Sequence, residues 1–284
     1  PSPQPPSPPS PPPRAPFVDF CEDTLFRYSS QYLPQSTTWE DQGFQNNDAA
    51  LGSGALTVSD GVEVKEVASP SSAAIAPSSS NVKGSSFTVA VNFEFVQSDS
   101  NRQPILGLNY ASSISSGSGA FVVYLGKQQN FNCLATFVGT VSAVGQTTDD
   151  LVCSTDFTLS SIFSDAQRHT YILAYDSSNG NVRVYLDGAQ IISFSSGTQA
   201  STTETSSLVM GYSEVLGSTA EMPTEGIFYD ATLLNRAIVD SEVSTLHNQL
   251  QAGLGRCLRA PPSPPPPSPP TPPFAPDAAP NPPP

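Results

Sequence analysis

The stretch RHTYILAYDSSNGNVRVYLDGAQIISF, from Arg168 to Phe194, decides the fold class. Apolar and polar residues alternate along it, which is the period of a β-strand with one buried face. Asn179-Gly180 and Asp187-Gly188 suit tight turns that need positive φ angles. The stretch therefore predicts a three-stranded antiparallel meander.

The same alternation extends outward from the meander. In SFTVAVNFEF, five apolar residues fall on one face of a strand: Phe87, Val89, Val91, Phe93 and Phe95. Further strands are predicted at Ile105–Tyr110, Phe121–Leu125, Cys133–Val138, Leu151–Leu159, Ser207–Gly211 and Gly226–Leu233. One segment predicts a helix, with Asp240 as N-cap, apolar residues at helical spacing (Val243, Leu246, Leu250) and Gly253 at its end. One short helix among many strands predicts an all-β sandwich or barrel.

Proline divides the chain into three parts. Of the 30 prolines, 25 lie in residues 1–16 and 261–284, and the remaining five are spread over residues 17–260. The central part is long enough for one β domain, whereas the ends lack the apolar side chains for a core. The ends predict rigid polyproline II arms, with a disordered linker as the alternative. Because the chain lacks an initiating Met and both ends lie inside proline repeats, we expect a processed chain or an excerpt of a longer one.

Charge and hydropathy exclude several classes of partner. The net charge is −14, so phosphate backbones and anionic membrane surfaces are repelled, and we expect no nucleic-acid partner. No apolar window is long enough to span a bilayer.

The four cysteines predict disulfides and hence a secreted or cell-surface protein. They show no CxxC spacing, which argues against zinc and against thiol redox chemistry. Of the three possible pairings we favour Cys21–Cys257, which brackets the domain, together with Cys133–Cys153.

The arms resemble the hydroxyproline-rich glycoproteins of green-algal and plant walls and surfaces. The resemblance rests on Ser-Pro blocks such as SPPSPPP (Ser7–Pro13) and SPPPPSPP (Ser263–Pro270). It implies hydroxylated prolines and covalent O-linked glycans. The implied sites are Pro5, Pro6, Pro8, Pro9, Pro11, Pro12, Pro13, Pro264, Pro265, Pro266, Pro267, Pro269 and Pro270, with Ser7, Ser10, Ser263 and Ser268. Ligands of SH3 and WW domains share the PxxP element, but those readers are cytosolic.

The central part resembles laminin G-like domains of the concanavalin A superfamily. WEDQGFQNNDAAL (Trp39–Leu51) is similar to an opening D-x-G-x-x-x-N-x-A-x-L block, and the meander to an H-x-x-x-x-Y-D…G…R-x-Y-x-D-G block. A closing block matches at Asn235, Arg236 and Ala237. The resemblance implies a jelly roll of two antiparallel sheets, in which Asp187-Gly188 and Asn235-Arg236 are turn and packing elements.

The sequence predicts no catalytic residues and, from that, no enzyme. No Glu has an Asp two residues later, as glucanases of this superfamily require, and no GxSxG elbow accompanies the two histidines, His169 and His247. The adjacent carboxylate pairs Glu22-Asp23, Glu40-Asp41 and Asp149-Asp150 are interpreted as solvated loop charge. No metal site or cofactor is predicted; calcium at Asp149, Asp150 and Asp156 is a weaker alternative to an exposed acidic loop.

Two functions follow from the sequence. The first is a structural extracellular glycoprotein module of a cell surface, wall or filament, which associates with itself through its arms. The second is a lectin-like module on rigid stalks with a carbohydrate ligand. Trp39, Tyr110, Tyr124 and Tyr212 are candidates for stacking on sugar rings, although packing in the core explains each of them equally well.

Overall fold

The computed structural model describes residues 19–65, 75–77, 82, 85–96, 102–109, 120–128, 133–141, 151–154, 162–196, 207–211 and 225–257. The two proline-rich arms, with every predicted hydroxylation and glycosylation site, lie outside these residues.

The described residues form sixteen strands in two antiparallel sheets. The strands are β1 Thr24–Tyr28, β2 Thr38–Trp39, β3 Ala49–Leu51, β4 Ala55–Thr57, β5 Val62–Val64, β6 Ile75–Pro77, β7 Phe87–Phe95, β8 Arg102–Asn109, β9 Ala120–Gln128, β10 Cys133–Val141, β11 Val152–Cys153, β12 His169–Asp176, β13 Asn181–Leu186, β14 Ala189–Ser195, β15 Ser207–Met210 and β16 Gly226–Leu234. The helix α1 spans Asp240–Gln251, and short 3₁₀ turns lie at Cys21–Asp23 and Ser30–Tyr32.

The first sheet has the order β14-β13-β12-β7-β16-β5-β4, and β1 also pairs with β16. The second has the order β11-β10-β9-β8-β15-β6-β3-β2. The predicted two-sheet sandwich with one short C-terminal helix is confirmed.

The strand face that the alternation predicts to be buried packs in the core between the two sheets. Phe87, Val89, Val91, Phe93 and Phe95 of β7 all belong to one buried cluster. That cluster also contains apolar side chains of the second sheet, including Leu106, Val123 and Leu134. The predicted meander is β12, β13 and β14, and its turns use positive φ at Gly180, Asp187 and Gly188.

The helix α1 covers the outer face of the first sheet. Its buried residues Val243, Leu246 and Leu250 pack in a second cluster with Ala90 of β7 and Ile172 of β12. The helix begins one residue earlier than the sequence predicts, at Asp240, so the expectation that Asp240 is the N-cap is wrong. Val239 occupies that position, and its backbone N–H donates to the Glu242 carboxylate at 3.0 Å.

Asp240 has a different partner, which explains the shift. Its carboxylate accepts hydrogen bonds from Arg183 Nη1 at 2.5 Å and from the Tyr185 hydroxyl at 2.7 Å, both on β13. The side chain is therefore engaged by the neighbouring strand and does not cap the helix. The predicted end of the helix is correct in position, since Gly253 follows the C-cap with a φ of 83°.

Two disulfides join the pairs that the sequence favours. Cys21 is bonded to Cys257 across 236 residues with a Cα–Cα distance of 5.6 Å. Cys133 is bonded to Cys153 across 20 residues, between β10 and β11. The first bond brings the two ends of the folded domain together.

Packing of α1 on the sheet predicts how two leucines differ. Leu246 is fully buried, so Leu246→Ala should lower the free energy of unfolding by about 2–4 kcal/mol through lost contacts and a cavity. Leu56 of β4 is 51% exposed, so Leu56→Ala is the matched control and should change it by less than about 0.5 kcal/mol. Denaturant unfolding measures both, and equal losses would contradict the packing described for α1.

Candidate ligand-binding cleft

A polar cleft of about 470 Å³ lies where the chain enters and leaves the domain. Its lining comes from the loop after β2 and from the segment that follows α1: Glu40, Asp41, Gln42, Gly43, Asn46, Asp48, Arg256 and Cys257. This volume is within the range of small-molecule sites. The cleft therefore has room for a ligand of a few rings.

Asp41 fixes the shape of the loop. Its carboxylate accepts three backbone N–H groups, from Arg27 at 2.8 Å, Gly43 at 2.8 Å and Asn47 at 2.9 Å. An aspartate that binds the N–H two residues later closes a local turn, and here it also ties the turn to β1. The backbone of the cleft is thus held before any ligand arrives.

Gln42 joins the loop to the end of the chain. It is 1% exposed, and its side-chain oxygen accepts from Arg256 Nε at 2.9 Å. Its backbone carbonyl accepts from the N–H of Cys257 at 2.8 Å. The two walls of the cleft therefore form one hydrogen-bonded unit.

The cleft exposes groups that suit a polyhydroxylated ligand. Glu40, Asn46 and Asp48 are exposed and supply carboxylate and amide groups, and Arg256 supplies N–H donors. The Tyr32 ring is 40% exposed. The Arg256 guanidinium lies over this ring, with 5.4 Å between Arg256 Cζ and the ring centroid. Sugar hydroxyls need such donors and acceptors, and an exposed aromatic ring offers them an apolar face.

A second polar cluster lies at the end of the meander, around His169. The ring Nδ1 is 2.7 Å from Asp187 Oδ2, and Nε2 is 3.1 Å from Asp165 Oδ2. The hydrogen bond to Asp187 is the main reason that the pKa of His169 is raised. Burial alone would raise the pKa of Asp187, but the hydrogen bonds from His169 and from the Thr170 N–H lower it overall.

This cluster is a structural link between turns. Asp187 has a φ of 49°, in the β13–β14 turn, and its other carboxylate oxygen accepts the N–H of Thr170 at 2.9 Å. The cluster therefore holds the start of β12 against that turn. In the described part of the chain, no group of three or more His, Cys, Asp or Glu side chains is placed to hold a metal ion.

Several residues that the sequence singles out are not at the cleft. Trp39 is fully buried, its ring stacks on Tyr28 at 5.4 Å, and its Nε1 donates to the Ser29 carbonyl at 3.3 Å. Tyr124 is also fully buried, and its hydroxyl donates to the Lys127 carbonyl. For both, packing in the interior replaces stacking on a sugar. Tyr110, Tyr212, Asp149, Asp150 and Asp156 lie outside the described residues.

Two carboxylates interpreted as solvated charge have structural partners instead. Asp23 Oδ2 accepts from Arg236 Nε at 2.6 Å, and Arg236 also binds Glu242 at the start of α1. Asp41 anchors the cleft loop. The interpretation was wrong for Asp23 and Asp41 because their partners are distant in sequence or belong to the backbone.

No pattern in the sequence predicted the cleft as a unit. Its two walls are more than 200 residues apart in the chain, and the bond between Arg256 and Gln42 joins them. The Asp41-x-Gly43 pattern was the available signal, because this spacing is typical of a turn closed by an aspartate side chain. No helix among the described residues has both the length and the apolar character for crossing a membrane.

Comparison with known families gives one match. Residues 67–244 match the Laminin_G_3 family model, described as the concanavalin A-like lectin/glucanases superfamily. Comparison with curated protein sequences finds no match.

Solved structures with a similar fold come from several sources. A Trypanosoma rangeli sialidase in complex with 2,3-difluoro-KDN has a TM-score of 0.58 and 15% identity, over 87% of this chain and 36% of the sialidase chain. The binding domain of Paraclostridial Mosquitocidal Protein 1 has a TM-score of 0.55 and 11% identity, over 81% of this chain and 53% of that chain. The binding domain of botulinum neurotoxin DC, in complex with rat synaptotagmin II, has a TM-score of 0.53 and 10% identity, over 82% of this chain and 53% of that chain.

These likenesses correct one prediction. The prediction from missing motifs that the chain is not an enzyme is wrong, because similar solved structures include an enzyme, the sialidase. The missing motifs argue only against glucanase and Ser-hydrolase chemistry. Proteins that share one fold carry out many other reactions. At 15% identity, and with the chain spanning about a third of the sialidase chain, the likeness shows the fold alone.

The pairing of His169 predicts a pH-dependent contribution to stability. The raised pKa means that protonated His169 stabilises the fold below its unfolded pKa of about 6.5, and that this stabilisation is lost as the pH rises through the folded pKa. His169→Gln should therefore reduce the free energy of unfolding more at about pH 5.5 than at about pH 9.

Arg168→Gln is the control for this measurement. Arg168 directly precedes His169 and pairs with Asp60 without an imidazole, so the loss caused by Arg168→Gln should be the same at the two pH values. An equal loss for His169→Gln at both pH values would contradict the charged pairing.

Proposed function

The chain belongs to the concanavalin A-like lectin/glucanases superfamily, and we propose that it is a structural module of an extracellular glycoprotein. In this proposal the lectin-like domain, residues 17–260, lies between two polyproline II arms, residues 1–16 and 261–284. The arms are hydroxylated and O-glycosylated at the prolines and serines named above. Copies associate through the arms into a cell-surface, wall or filament assembly.

The observation that carries this proposal is the Cys21–Cys257 disulfide. It closes the folded domain at the point where both proline-rich segments attach, with the two Cα atoms 5.6 Å apart. This closure supports a domain that is mounted as a unit on a proline-rich chain. Disulfides form and persist in oxidising compartments, which supports secretion or display at the cell surface.

Mass spectrometry and electron microscopy of the native material test this proposal together. We expect an intact mass above that of the sequence, with the added mass on peptides from the two arms. Regular fibres should appear by microscopy. Unmodified arms together with single dispersed particles would contradict the structural role.

A lectin-like activity is a second candidate, favoured by the cleft. The cleft presents carboxylate, amide and guanidinium groups, and the exposed Tyr32 ring, just outside its lining, lies against the Arg256 guanidinium. Its lining contains three carboxylates, from Glu40, Asp41 and Asp48, against one cation, Arg256. Like charges repel in such a site, so the cleft favours neutral over anionic sugars.

Binding to a glycan array tests the second candidate. We expect selective binding of neutral saccharides by the full chain, weakened about tenfold or more by Tyr32→Ala, since each 1.4 kcal/mol of lost contact is tenfold. Glu40→Gln should also weaken binding by removing an acceptor for sugar hydroxyls. Asp60→Asn, a charge change outside the cleft lining, is the matched control and should leave binding unchanged. Preference for acidic glycans, or equal binding by all variants, would contradict a sugar site at this cleft.

A further inference from the structure

The described domain begins and ends next to one covalent bond. Its outermost described residues are Asp19 and Cys257. Cys257 is itself half of the disulfide, and the other half, Cys21, follows Asp19 by two residues. The bond spans 236 residues of sequence but only 5.6 Å between Cα atoms. The shortest covalent path from one arm to the other therefore bypasses the whole sandwich.

Without that bond, a pull on the C-terminal arm would act on the segment after α1. This segment is held to the sandwich by the buried Leu254 side chain and by hydrogen bonds that follow one another along the chain. The Leu254 N–H donates to Asp230 Oδ1 at 2.8 Å, and the Gly255 carbonyl accepts from Arg27 Nε at 2.7 Å. The Cys257 N–H donates to the Gln42 carbonyl at 2.8 Å.

A force on the last residue of such a segment loads these bonds in turn. Hydrogen bonds loaded in series break one at a time, and the net contribution of a single bond in water is small, so the segment resists less than a strand ladder that must break at once. Once Leu254 is released from Asp230, the C-terminal end of α1 is the next part under load. There the Asn92 side chain of β7 donates to the Leu250 carbonyl at 3.1 Å, and this bond would break next. Peeling from this end would open the sandwich.

We propose that the Cys21–Cys257 disulfide carries the tension between the two arms, so that the sandwich lies outside the load path. Residues 22–256 form a closed loop in parallel with the bond, and the ends of that loop stay 5.6 Å apart whatever the pull. The hydrogen bonds of Leu254 and Gly255 then bear no load.

Single-molecule force spectroscopy on the full chain tests this inference. The oxidised chain is pulled from residues 1 and 284, and we expect no stepwise release of length before the tether breaks. The same chain is then pulled from two exposed loop positions, Ser59 and Ser178, which load the sheets directly. That geometry should release roughly 350 Å in unfolding, at about 3.3–3.6 Å per freed residue with the Cys133–Cys153 loop closed.

Two variants separate the roles of the disulfides. Pulled from the arms, Cys21→Ala with Cys257→Ala should release roughly 750 Å, since the whole domain now lies in the load path. Cys133→Ala with Cys153→Ala keeps the bond between the arms and should release nothing. A stepwise release from the oxidised native chain pulled by its arms would overturn the inference, whatever the variants do.

Discussion

The buried carboxylate of Asp230 joins β16, an inner strand of the first sheet, to both ends of the domain. A register shift between Phe228 and Asp230 bends β16 at this point, and such bulges redirect side chains. Asp230 then accepts from the backbone and hydroxyl of Ser30 and from the N–H of Leu254. Burial raises its pKa more than these hydrogen bonds lower it, so the site is costly to build. That cost is offset because three distant segments are fixed by one group.

Arg27 is the matching buried cation. It is 6% exposed, and burial lowers its pKa against the opposing attraction of Asp19, Asp230 and Asp41. Its Nε binds the Gly255 carbonyl, and its backbone N–H binds Asp41 at the cleft. The cleft loop and the segment after α1 are therefore both bonded to Arg27, and Asp230 holds the same segment through Leu254. Since buried charges need partners, this arrangement fixes the geometry of the entire end of the domain.

The sequence predicted the elements whose pattern is long and local. Strands β7 and β12 to β14 have clear alternation and tight turns, and α1 has helical spacing, so their positions could be derived. Strands β2 to β6 are two or three residues long, too short to show a period. β1 pairs with β16, and its Phe26 carbonyl accepts from Thr232, 206 residues away. Such pairings come from tertiary packing, and local pattern carries no information about them.

The cleft was hidden for the same reason, because its lining comes from segments that are distant in the chain. A missing motif excludes only the site whose residue spacing along the chain is already known. The groups that line this cleft come from two loops joined by Gln42 and Arg256. Function on a common fold is set by such assembled sites, so a sequence without familiar spacings leaves the chemistry open.

Because Cys21 and Cys257 are bonded, the two ends of the domain lie next to each other, as in domains that tolerate insertion into another chain. A folded body whose ends are adjacent can be inserted into a linear chain, or removed from it, without changing the course of the chain on either side. Repeated insertion would give an array of identical side groups at spacings set only by the intervening segments. The number and spacing of such domains along a chain can therefore change without any change in the fold of each domain.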